Sequence, residues 1–81
     1  MPLRELDTVV LEQDLPSHGL CRGDIGAIVH VLGSDTVEVE FVRASGRTQA
    51  LVEVSVAAVR LLNDGDLPAV RHVDPPTRDV A

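Results

Sequence analysis

Between Thr36 and Val42 the chain alternates without a break: Val37, Val39 and Phe41 fall on one side of an extended backbone, Thr36, Glu38 and Glu40 on the other. Successive side chains of a strand point to opposite faces, so this run reads as a strand with one buried and one wet side. Its apolar side needs other sheet residues to cover it, and the chain supplies them in short pieces. Thr8-Val9-Val10-Leu11, framed by acidic residues, reads as a first strand. Ile25 to Leu32 reads as a second, with Ile25, Ala27, Val29 and Val31 assigned to the core side and Gly26, Ile28, His30 and Leu32 to the other. Gly33-Ser34-Asp35 and Ala44-Ser45-Gly46-Arg47 are turn signals on either side of the alternating run, so Thr48 to Val54 returns as a fourth strand. Ser55 to Ala58 is too short for an independent helix and reads as a single 3-10 turn before a last strand over Val59 to Leu62.

The remaining core has to come from valine, leucine, isoleucine and alanine, because Phe41 is the only aromatic residue in a chain that is 44% hydrophobic. Branched Cβ atoms pack well on a pleated surface, which again favours strands. With 81 residues there is room for one domain. A domain of this size buries only about 60% of the surface its unfolded chain exposes.

Five short strands, a long first loop from Asp14 to Asp24, two hairpins and a turn before the last strand give an all-β fold of the small SH3-like barrel type, in which bent strands close a sheet on itself. The barrel is expected over residues 5–62. Within the loop, Leu15 and Leu20 are expected to tuck down onto the core. Gly23 and Gly26 stand where the loop feeds a tightly curved strand, and glycine there permits a positive φ or a close backbone approach. Asp24 suits an Asx-type turn. Residues 63–81, rich in Pro and Asp, are expected to form a flexible tail that cannot bury enough apolar surface to offset its ordering entropy.

The stretch "ELDTVVLEQDLPSHGLCRGDIGAIVHVL", with "VEVEFV" and "VRLL" after it, closely resembles a family of small bacterial proteins known chiefly as a domain of unknown function. The resemblance rests on Leu6, Asp7, Val9, Leu11, Asp14 to Pro16, Gly19, Gly23, Asp24, Gly26, Ile28, Val29 and Val37 to Phe41. It implies an SH3-like barrel and supplies no catalytic residue. The Gly-Asp-x-Gly-x-Ile portion is also similar to strand starts in nitrile hydratase β-subunits and in KOW elements. Cys21, Arg22 and the tail depart from the common pattern.

Charge narrows the function. The formal net charge is −6, with seven scattered arginines and no lysine. Nucleic-acid binding draws on clustered cations and on aromatic stacking platforms, and this chain offers neither. A lone cysteine makes no internal disulfide, no apolar run approaches the roughly 20 residues of a membrane span, and no signal-peptide pattern opens the chain; the cytoplasm is the expected compartment. His18, Cys21 and Asp24 sit close enough in sequence to suggest thiol or metal chemistry. A catalytic thiolate needs an oriented base, though, and an extended loop does not present residues at intervals of three on one face. No cofactor or metal is expected, nor an enzyme.

The expectation is therefore a protein-interaction module that binds a neighbouring toxin-like protein or itself, as a homodimer formed in one variant by strand exchange. Its expected contact residues are Pro16, His18, Leu20 and Arg22 of the loop, the apolar set Ile28, Val42 and Leu51, and the acidic pair Glu38 and Glu40. Apolar side chains opposite the core mark a docking face where sheet curvature does not internalise them. An accessory role in metalloenzyme maturation, using Cys21 and His18, is the alternative, and a KOW-like nucleic-acid module stands third.

Overall fold

A computed structural model describes residues 3–74. Five antiparallel strands form one sheet: β1 Thr8–Leu11, β2 Ile25–Val31, β3 Thr36–Val42, β4 Thr48–Ser55 and β5 Val59–Leu61. Their spatial order is β4-β3-β2-β1-β5, so four strands meander and the fifth joins the far side of β1. The connection from β4 to β5 is a single 3-10 turn, Val56–Ala58, which Ser55 caps by accepting the Ala57 N–H on its hydroxyl.

The alternation of β3 is realised as read. Val37, Val39 and Phe41 are buried, and they pack with Val9 and Leu11 of β1, Val52 and Val54 of β4, and Val59 of β5. Leu20 joins this cluster and Leu15 packs against it, each donating its N–H to the other's carbonyl. The loop is thus pinned to the core as expected.

The two faces of β2 are the reverse of the sequence expectation. Gly26 and Ile28 face the core, and Ile28 is completely buried, while Ile25, Ala27 and Val29 are only partly covered. The cause is visible at Gly26. A Cβ there would lie 2.6 Å from Val39 Cγ1 and 2.9 Å from Phe41 Cε1, so the side chains of β3 occupy the space that glycine leaves. Ile28 pairs with Val39, and an irregularity then shifts the register so that His30 faces Glu38 with Val29 unpaired between them. Alternation scored on side chains assigns a glycine to the wet face, whereas here its missing side chain is what lets β2 curl over β3.

Two of the expected contact residues are therefore corrected. Ile28 is core, internalised by that curl, and Leu20 is 4% exposed because the loop folds down on it. Neither offers an exposed side chain to a partner.

The region after β5 is also more constrained than its composition suggests. Residues 63–74 contain no helix or strand, yet they are tied to the sheet at both ends. Asn63 and Asp66 close a turn, with the Asn63 N–H donated to Asp66 Oδ2 and the Asp66 N–H donated to the Asn63 carbonyl. Arg60 then grips Asp66 with two hydrogen bonds of 2.8 Å each. The expected flexibility of residues 75–81 lies outside the described residues.

Candidate interaction surface

Two surfaces carry the polar side chains that the core does not use. The first is the outer face of the β3–β4 ribbon. The register places Glu38 opposite Glu53 and Glu40 opposite Leu51. Glu38, Glu40 and Glu53 thus share one face with Leu51 and Val42, which are 54% and 52% exposed. Directly opposed like charges destabilise a sheet. The exposed His30 on β2 places its Nδ1 4.0 Å from Glu38. Glu40 accepts a 2.5 Å hydrogen bond from the Thr48 hydroxyl rather than from an arginine. Arg60 is committed instead to Glu12 and Asp66.

The second surface is a groove between the long loop and the start of β4. Gly23, at φ 96°, lets the loop turn so that the Asp24 carboxylate accepts the Cys21 N–H three residues back, rather than an N–H two residues on as in the expected Asx-type turn. The same carboxylate receives two bonds from Arg71, from Nε at 2.9 Å and from Nη2 at 2.5 Å. Burial pushes the Asp24 pKa up, but the hydrogen bonds from Arg71 and Cys21, with the Arg71 charge, outweigh it and hold the group below its ordinary range.

Opposite, the β3–β4 register slips between Phe41 and Val42, leaving Gln49 as an extra residue turned inward. Gln49 is 7% exposed. Its Oε1 accepts from Arg43 at 2.7 Å, and its Nε2 points to the carbonyls of His18 and Asp74 at 3.5 and 3.4 Å. A second Arg43 nitrogen donates to the Val73 carbonyl at 3.1 Å. Residues 69–73 close one side of a cleft of about 530 Å³ whose floor includes Leu20, Phe41 and Val42.

The sequence-derived contact residues are thus divided. Glu38, Glu40, Val42 and Leu51 come together on the first surface. Pro16, His18 and Arg22 lie exposed on the loop beside the second, where His18 contributes a carbonyl rather than its ring. Cys21 is exposed, and its N–H rather than its thiol meets Asp24. Among the described residues no group of three or more His, Cys, Asp or Glu side chains is placed to hold a metal ion. Nor, among them, is any helix long and apolar enough to cross a membrane. Gln49, Arg43 and Arg71 were not legible as site residues. The only hint was a glutamine at the start of a strand whose other inward positions are apolar.

With this geometry in view, comparison with protein families returns a match over residues 5–61 to the family described as Domain of unknown function (DUF4926). The chain belongs to the DUF4926 family. The match covers all five strands of the DUF4926 domain, all three acidic positions of the β3–β4 face, and Asp24, Arg43 and Gln49 of the groove, but it stops before Arg71. Neither the curated proteins nor the solved structures yield a match.

Proposed function

We propose that this DUF4926 domain is a non-catalytic interaction module, and that the outer β3–β4 face docks a protein partner presenting a basic surface. The observation that carries this reading is the direct opposition of Glu38 and Glu53 beside half-exposed Leu51 and Val42. A partner's arginine or lysine set between the two carboxylates turns a repulsion into charge-assisted hydrogen bonds. The leucine and valine supply apolar contact area at the same place. The net charge of −6 speeds encounter with a cationic partner, an effect that weakens as salt rises.

The same charges oppose self-association through this face, since two copies would bring six carboxylates together. A neighbouring toxin-like protein fits the reading if its contact surface is basic. The test is to capture the partner from the native host, identify and purify it, and measure its affinity for the wild-type domain and for Glu38→Lys/Glu53→Lys. Loss of affinity of about tenfold or more, 1.4 kcal/mol, supports the assignment. Unchanged affinity with the folded double variant removes it.

A further inference from the structure

We infer that the groove bounded by Gly19, Asp24, Arg43 and Gln49 is a recognition site for an extended, arginine-bearing segment of another protein, and that residues 69–74 of this chain are its intramolecular occupant. This surface meets the β3–β4 face at Val42 but carries none of its carboxylates, and it does not depend on the function proposed for that face.

The contacts of residues 69–74 resemble those of a bound peptide more than those of a packed element. Leu67 just before this stretch and Val70 within it are 92% and 102% exposed, so apolar burial does little to hold it down. One side chain is read closely: Arg71 meets both oxygens of Asp24 and donates to the Gly19 carbonyl at 2.9 Å. After that the groove reads main chain, with Arg43 donating to the carbonyl of residue 73 and Gln49 to that of residue 74. Val73 lies over Gly19, where a Cβ on the glycine would stand 3.4 Å from Val73 Cγ2. The recognised pattern is therefore an arginine, any residue, a small apolar residue, and two free carbonyls. Nothing in it is specific to this chain's own tail.

The groove is also costly to leave empty. Gln49 is buried beneath the segment, and without an occupant its Nε2 keeps only the long contact to the His18 carbonyl while Oε1 keeps its bond from Arg43. Asp24 would likewise lose the cation that compensates its partial burial. Any extended chain with arginine in register restores both, and the cleft of about 530 Å³ beside the tail leaves room for one that contacts Phe41 and Val42 as well. Every groove residue lies within the span 5–61 that matches the family, whereas the occupant lies beyond it.

The test uses the full chain carrying Arg71→Ala, which unlatches the resident segment, and a fluorescein-labelled peptide with the sequence of residues 66–74, followed by anisotropy. The variant should bind the peptide about tenfold or more tightly than the wild type does, because the wild-type tail competes at an effective concentration on the order of millimolar. Adding Asp24→Asn, or replacing the peptide's arginine with alanine, should remove binding. Glu38→Lys/Glu53→Lys should leave it intact, which separates this site from the acidic face. With the wild type, excess peptide should shift the amide resonances of Gly19, Asp24 and Gln49, a readout that stands if the Arg71 variant folds poorly. Absence of saturable binding in both formats, or binding indifferent to Asp24→Asn, overturns the inference. So does a concentration-dependent dimer abolished by Asp24→Asn, which would make a second copy the occupant.

Discussion

Arg71 closes on Asp24 across 47 positions of chain and brings the stretch after β5 back against the first loop. The pair is partly exposed and joins the tail to a loop, not to any strand of the sheet. Arg71→Ala is thus expected to free the tail while sparing the barrel. In nitrogen-15 relaxation, order parameters at residues 69–74 should fall below about 0.6 while those of the strands stay near 0.85. A change in global stability well above 1 kcal/mol would show that the tail belongs to the cooperative core.

The Arg60–Asp66 clamp responds to acid. Its two hydrogen bonds and the Asn63 N–H lower the Asp66 pKa from 3.8 to about 2. A folded-state pKa below the unfolded value means that the unfolded chain binds the proton more tightly. The clamp's contribution is therefore complete above about pH 4, declines as the pH falls from 3.8 towards 2, and is lost below that. Carbon-13 titration of the Asp66 carboxyl should give a midpoint near 2, and Arg60→Gln should move it back towards 3.8.

The reversed faces of β2 predict opposite outcomes for two residues that look alike in sequence. Ile28→Ala removes a fully buried side chain and should cost about 2–5 kcal/mol in urea unfolding. Leu51→Ala removes one that is 54% exposed and should stay within about 0.5 kcal/mol.

Gly26→Ala places a Cβ against Val39, Phe41 and the Glu40 carbonyl. The backbone there has an ordinary φ, so the cost is steric and should be about 1–3 kcal/mol. Gly26→Val should prevent folding, as judged by loss of the far-ultraviolet β spectrum.

What was legible in the sequence followed from period and punctuation. The alternation of Thr36 to Val42 needed no tertiary information, and the turn residues bounded each strand. Ile28 was misplaced because the residue that decides its face, Gly26, shows its effect only against the side chains of β3. Gln49 was missed because a bulge, rather than alternation, turns it inward. The tail was read by composition, which registers its lack of apolar burial but not an arginine aimed at a carboxylate 47 positions earlier. The acidic strand face was visible in advance. Its opposition to Glu53 was not, since register depends on how the hairpin turns.

That opposition is the basis of the functional reading, and equilibrium urea unfolding of Glu53→Gln at low and high salt tests it directly. If Glu38 and Glu53 form an unrelieved repulsion held for a cationic partner, the variant should be more stable than the wild type by about 0.2–1 kcal/mol at low salt. The gain should shrink as ions screen the pair at about 1 M. A variant no more stable than the wild type at low salt would mean that the two carboxylates are already accommodated in the free domain, contradicting the account.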